Sequence, residues 1–350
     1  KNRTEIDTYS VFIINNKNNN NKQRKNMNNF KKIGMSALAA SLVSTSVFAG
    51  ELTATGSAGM TVEGYSGSTL QSDTGYSMAD SVILSGSTEL DNGMTVSMSF
   101  ELDSDNGSTS SYDDKSVSVS SDTLGTFKFS GHGGSTASTA IDATAAGDMW
   151  DNFDGASYIG ATGVAVAASL GGDNSLFYTS PSFEGIQVTA SYRPDGSAAS
   201  GDATESATGF GVNYTGVEGL SVHYAVTDIE TGSTGTSGDQ TTMKASYAYG
   251  PVTVAYSSNE NDEGTVGNDQ DTTSYNISYT VSESISIGYG QETIEKGGDP
   301  DDAEFSGVNA SYTAGGMTIS AKMIDAENVN HGTGATEDGE YWSLGLAFAF

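Results

Sequence analysis

The feature that most limits what this chain can fold into is an apolar/polar alternation with a period of two residues, repeated in short segments almost from end to end. In Ile186-Gln-Val-Thr-Ala-Ser-Tyr192, Gln187, Thr189 and Ser191 are polar while Ile186, Val188 and Tyr192 are apolar. The same pattern runs through Met94–Phe100, Leu220–Val226, Val252–Tyr256, Ile285–Tyr289 and Met317–Met323. Successive side chains of a β-strand point to opposite faces, so each segment reads as a strand with one apolar face. The polar partners are mostly Ser, Thr, Gly and Ala.

The connectors fall into two alternating classes. Short turns stand at Asp91-Asn-Gly93, Asp122–Gly125, Ser182–Gly185, Gly216–Gly219, Tyr249–Pro251, Ser282–Ser284 and Ala314–Gly316. Between them lie long acidic segments around 66–75, 104–114, 131–173, 194–205, 228–239, 258–272, 292–303 and 326–338. Seven short turns, eight long loops and a strand at each end make about sixteen strands, with both termini on the short-turn side. A barrel crossing a membrane has this alternation, because its periplasmic turns are short and its outer loops long. In hydrocarbon every backbone N–H and C=O must be paired internally, so a spanning sheet has to close and leave no edge. The predicted fold is all-β, a transmembrane antiparallel up-and-down β-barrel. A secreted β-sandwich or adhesin is the competing fold, but it needs apolar faces packed on each other, and the facing residues here are too small and polar.

Composition bears on two further points. A hydrophobic fraction of 36% and a net charge of −30 suit a disordered chain, but 17 Tyr, 13 Phe and many runs of Val, Ile and Thr suit a pleated surface. From Met27 the sequence places Lys31 and Lys32 ahead of the apolar stretch Ile33–Phe48 and short residues before Gly50. This reads as a secretory signal peptide over 27–49, cut after Ala49, and is short of the ~20 apolar residues of a spanning helix. Residues 1–26, with their Asn/Lys tract, read as an upstream extension from a mis-assigned gene start, which leaves the barrel to 50–350. Eight of the 14 basic and two of the 44 acidic residues precede Gly50, so the remainder carries 6 against 42, a net charge of −36. Such a field repels nucleic acid and attracts cations. The chain has no cysteine and therefore no disulfide framework.

Asn174-Ser-Leu-Phe-Tyr-Thr-Ser-Pro-Ser-Phe-Glu-Gly-Ile-Gln-Val-Thr-Ala-Ser-Tyr192 resembles the strand-turn-strand signature of Gram-negative porins of the α-proteobacterial type. Glu340–Phe350 is similar to their last strand, with Trp342, Leu344, Leu346, Phe348 and Phe350 on one face, and Gly50–Tyr65 to their first. The resemblance covers essentially all of the chain from Gly50 onward. It implies a homotrimer of sixteen-stranded barrels in the bacterial outer membrane, each a passive channel for ions and small hydrophilic solutes. It also implies that a third loop folds inward to narrow the pore. The terminal strand, through Trp342, Phe348 and Phe350, would be the signal for the barrel-assembly machinery.

The segment 131–173 is the longest connector, stands third, and carries Asp142, Asp148, Asp151 and Asp154. Alternation turns Phe127, Phe129, Tyr192, Met243, Ala245, Ala321 and Met323 to lipid, and so turns Lys128, Arg193, Lys244 and Lys322 inward. Arg or Lys on the lipid face would cost roughly 2–4 kcal/mol at the midplane. Glu89, Glu101 and His223 share the inward parity. The resemblance implies that the four acids oppose the four basic residues across the narrowest point, and the net charge predicts a preference for cations. A substrate-specific channel would need a lumenal slide of aromatic rings, whereas most aromatics here take lipid-facing parity.

Catalysis is not expected. The only histidines are His132, His223 and His331, and no G-x-S-x-G elbow occurs. No cofactor is predicted. The acidic runs Asn259–Glu263, Asn268–Asp271 and Asp299–Asp302 suit loosely held Ca²⁺ or Mg²⁺, bridging to lipopolysaccharide. Asp103–Gly107 begins like a calcium loop, but Ser108 stands where the turn glycine belongs, so no ordered metal site is assigned.

Overall fold

The computed structural model describes residues 52–66, 74–103, 112–153, 166–167, 173–194, 205–231, 237–264, 267, 269–332 and 337–350. The expected leader and upstream extension (1–49) and Asp154 lie outside the described residues.

Sixteen strands follow in chain order. They are β1 (Thr53–Ser66), β2 (Thr74–Glu89), β3 (Thr95–Asp103), β4 (Tyr112–Ser121), β5 (Gly125–His132), β6 (Ser175–Thr179), β7 (Ile186–Arg193) and β8 (Glu205–Tyr214), then β9 (Leu220–Thr231), β10 (Gly238–Tyr249), β11 (Val252–Asp262), β12 (Gln270–Ser282), β13 (Ile285–Lys296), β14 (Ala303–Ala314), β15 (Met317–Glu327) and β16 (Gly339–Ala349). Each pairs antiparallel with its chain neighbours, and β1 pairs with β16, so the sheet is a closed barrel. Closure leaves no row of unpaired backbone groups facing lipid.

Local chemistry explains the turns and the seam. Six of the seven short turns contain a glycine at positive φ, namely Gly93, Gly125, Gly185, Gly219, Gly250 and Gly315. The seventh, Ser282-Glu-Ser284, lacks glycine, and there the β12–β13 register shifts between Thr280 and Ser282. At the seam the Gly56 N–H donates to the Phe350 carbonyl at 2.7 Å and the Phe350 N–H donates back to Gly56 at 2.9 Å. The rings of Phe350 and Trp342 lie over Gly56 and Gly64, where an added Cβ would come within 2.6 and 2.7 Å of them. Aromatic rings here cover strand backbone that glycine leaves bare.

The alternation resolves as expected: Phe127, Phe129, Tyr192 and Met323 are exposed on the outer face. The strands run further than hydropathy suggested, however. About half of each connector expected at 228–239, 258–272 and 292–303 is strand, since β9 reaches Thr231, β11 Asp262 and β13 Lys296, and β15 runs two residues into 326–338, to Glu327. Continued pairing supplies every backbone group with a partner, whatever the side chains do. Above the apolar band the outward positions simply become acidic, with Glu260 opposite Asp271, Asp271 opposite Glu295, and Glu304 opposite Glu327. The loss of hydrophobicity marks where water begins, not where the strand ends.

Candidate functional site

The third loop leaves β5 and turns into the barrel, where its small and apolar residues lie against the inner wall. The Ala137 N–H donates to Ser191 Oγ on β7 at 2.8 Å, and Ser138 Oγ lies 2.8 Å from Thr227 Oγ1 on β9 and donates to the Gln240 carbonyl on β10 at 3.1 Å. Further along, Ser274 Oγ on β12 accepts the N–H groups of Ala145 and Ala146 at 3.0 and 2.9 Å, and Glu292 Oε2 on β13 accepts the Trp150 N–H at 3.1 Å. Tyr65 on β1 donates its hydroxyl to the Asn152 carbonyl at 2.8 Å. The returning segment is tied at Ala167, whose N–H donates to Gln270 on β12 and whose carbonyl accepts from Gln240.

The wall is shaped to receive this loop. A Cβ at Gly209 would meet Ala137 Cβ at 2.9 Å, and one at Gly290 would meet Ala146 Cβ at 2.5 Å. Phe153, 1% exposed, ends the described run of the loop in an apolar seat of Ile294, Ala303, Phe305, Ile324, Val329 and Tyr341. Its ring lies 5.6 Å from that of Phe305 and 6.3 Å from that of Tyr341. Inward aromatics are therefore more numerous than parity counting suggested, but these are covered by the loop. Tyr341 was legible as inward, because its neighbour Trp342 has lipid-facing parity.

The loop is two-sided. Thr144, Ala146, Met149 and Phe153 are buried against the wall, whereas Asp142, Asp148 and Asp151 are exposed. Asp148 is held by the Thr144 hydroxyl, which donates to it at 2.7 Å and accepts its N–H at 2.9 Å. All four basic residues take inward register, but two of them stand beside the loop rather than across from it. Lys244 Nζ lies 2.5 Å from Asp142 Oδ2 and donates to the Thr144 carbonyl at 2.9 Å. Lys322 Nζ donates to Asn152 Oδ1 at 3.4 Å. Lys128 is exposed on β5, and Arg193 ends β7 facing inward.

Glu89 lies near the short-turn end of β2, and Glu101 accepts the Ser81 hydroxyl at 2.5 Å. At the outer end of β3–β5, carboxylate oxygens of Glu101, Asp103 and Asp113 lie within 4.8 Å of one another, as do ligand atoms of Asp113, Asp114 and His132. Of the acidic runs expected to hold cations in loops, Asn259–Asp262 is strand, with Asn259 and Asn261 buried inward. Asn268 lies outside the described residues, and Asp299 sits 3.7 Å from Lys296.

His223 joins Ser221 Oγ at 2.7 Å to Asn213 Oδ1 at 2.8 Å. The order resembles a hydrolytic triad, but acyl transfer also needs donors converging on an oxyanion. Here β9 spends its N–H groups sideways on β8 and β10, so the trio is read as a hydrogen-bonded strip of the wall.

Similar proteins give this geometry its context. Solved structures with the same fold include the anion-selective porin from Comamonas acidovorans, at 17% identity and a TM-score of 0.61, covering 86% of this chain and 99% of that one. A loop-deletion mutant of OmpT from Vibrio cholerae matches at 16% identity and a TM-score of 0.63, covering 86% of this chain and all of its own. A mutant of the Rh. blastica porin matches at 16% identity and a TM-score of 0.59, with coverage of 86% and 100%. No curated protein matches the sequence. The family described as Gram-negative porin matches residues 35–318. The chain belongs to the Gram-negative porin family, and its sixteen-stranded barrel is an outer-membrane channel.

Proposed function

We propose that the barrel is a passive diffusion channel for ions and small hydrophilic solutes that prefers cations, with the third loop as its constriction. The observation that carries this reading is the two-sided loop: its apolar residues are pinned to the wall while Asp142, Asp148 and Asp151 are exposed. Asp154 extends the same acidic series in sequence. Of the four inward basic residues, Lys244 is already paired with Asp142, so those two charges offset each other and the acidic bias rests on Asp148, Asp151 and the net charge of −36 carried by residues 50–350. The three carboxylates at the outer end of β3 and β4 add to that balance at the mouth. Fixed negative charge beside a narrow aqueous path raises the local concentration of cations.

The active form in this reading is a homotrimer, exported by the 27–49 signal peptide. The barrel-assembly machinery recognises the strand bearing Trp342, Phe348 and Phe350. Outward acids such as Glu304 and Glu327 sit where Ca²⁺ or Mg²⁺ would bridge them to lipopolysaccharide. The reading assigns no catalytic role. Reconstitution of the purified protein into planar bilayers under a KCl gradient tests it. The expected result is a large ohmic conductance with a cation-biased reversal potential; a silent protein would sink the channel reading, and an anion-biased potential the charge assignment.

A further inference from the structure

Glu292 is the acid the channel reading leaves unused. It is 1% exposed on the inner face of β13, and among the described residues no other carboxylate is so fully buried. Its Oε2 accepts the Trp150 N–H at 3.1 Å, while Oε1, equally out of solvent, has no hydrogen-bond partner. A buried carboxylate with one oxygen unsatisfied is costly, and an apolar side chain would pack the same space without that cost. Its value must therefore lie in the acceptor it extends.

The loop is bent to meet that acceptor. Gly147 and Asp148 both take positive φ, +91° and +52°, directly before Met149 and Trp150. For Asp148 this left-handed conformation has a modest cost, and its reciprocal hydrogen bonds with Thr144 help to hold it. The wall's other described polar holds on this stretch are two neutral hydroxyls, Ser274 and Tyr65, and the partly exposed ammonium groups of Lys244 and Lys322. Glu292 lies between the Ser274 contact and the seat of Phe153, where the loop carries Asp148 and Asp151 on its exposed side.

We propose that Glu292 is a positioning residue that sets the width of the channel, by holding the third loop in its narrowing position through the Trp150 N–H. This rests on the reading of that loop as the constriction. Glutamine keeps the reach and an acceptor oxygen; aspartate keeps the charge but withdraws the acceptor by one methylene; alanine removes it.

The test is single-channel recording in planar bilayers of the full barrel carrying Glu292→Gln, Glu292→Asp or Glu292→Ala. A channel with residues 139–153 replaced by a short Gly/Ser link is recorded beside them, each first checked for heat-modifiable gel migration. Glu292→Gln is expected to conduct as the parent does. Glu292→Asp and Glu292→Ala are expected to rise towards the conductance of the loop-shortened channel and to flicker. Should alanine prevent folding, the aspartate and glutamine variants decide. The proposal is overturned if aspartate and alanine match the parent while the shortened channel is wider, or if glutamine conducts like aspartate and alanine. If the shortened channel conducts as the parent does, the constriction reading itself fails.

Discussion

The inner wall of the barrel is built in two ways. From β7 round to β1 it is recessed and polar where the third loop crosses it, with Gly209 and Gly290 giving room and Ser191, Thr227, Ser274 and Glu292 giving hydrogen bonds. From β2 to β5 the inward positions are largely serine, among them Ser85, Ser97, Ser99, Ser116 and Ser118, with Glu89, Glu101 and Lys128 among the charges and no described loop residue bonded to these three. The first wall behaves as half of a protein core, where volume and hydrogen bonding must match. The second behaves as the bank of a water-filled channel, where little matters except charge. Substitutions on the two walls should therefore differ in kind.

The largest expected effect is at Phe153. Phe153→Ala empties the seat between Phe305 and Tyr341 and should cost about 3–5 kcal/mol of loop docking. Limited proteolysis and single-channel noise would report a loosened loop, with the barrel's heat-modifiable migration unchanged. An unaltered cleavage pattern would mean that the apolar seat does not hold the loop. Gly290→Leu attacks the same wall from the other side. Its Cβ would already lie 2.5 Å from Ala146 Cβ, and overpacking of this sort costs roughly 1–3 kcal/mol. The matched change on the open wall, Ser118→Leu, should leave loop proteolysis untouched. Equal effects of the two leucines would erase the distinction between the walls.

Sequence alone reached the closed barrel, its strand number and the face to which the described strand residues point, because lipid enforces alternation and closure on every strand. Lys128, Arg193, Lys244 and Lys322 were legible as inward for that reason. Their partners were not. Parity gives a face and no height, and which wall residue meets which loop residue depends on a path through space that no period encodes. Lys244 was therefore expected across the bore from Asp142 and is found touching it. Glu292 was hidden by its neighbours, since 292–303 reads as one acidic loop when strand ends are judged by hydrophobicity. Gly290 and Gly209 offered a usable signal, as inward glycines in strand interiors mark places where another backbone comes close.

The Asp142–Lys244 pair sits at the boundary between packing and charge. With Asp142 about half exposed and Lys244 about a quarter, its contribution to docking should be about 1 kcal/mol or less. Its effect on selectivity has a definite sign. Lys244→Met leaves the Asp142 charge uncompensated and should move the reversal potential further towards cations; Asp142→Asn should move it the other way. The double variant should fall near the parent, because the two changes remove opposite charges, and a shift larger than either single change would contradict that assignment of signs.

The smallest effect is expected at Lys128, and it bears most directly on the open wall. Lys128 is exposed and opposite Phe177 and Ser118, so Lys128→Gln should alter neither stability nor loop proteolysis. It removes one positive charge from a bank where water and salt have full access. Screening then decides the outcome: the Debye length is about 10 Å at 0.1 M salt and about 3 Å at 1 M. Lys128→Gln should shift the reversal potential towards cations in dilute KCl and lose that shift in concentrated KCl. A change in unit conductance that survived high salt would instead mean that Lys128 meets the loop, and that the open wall is not open.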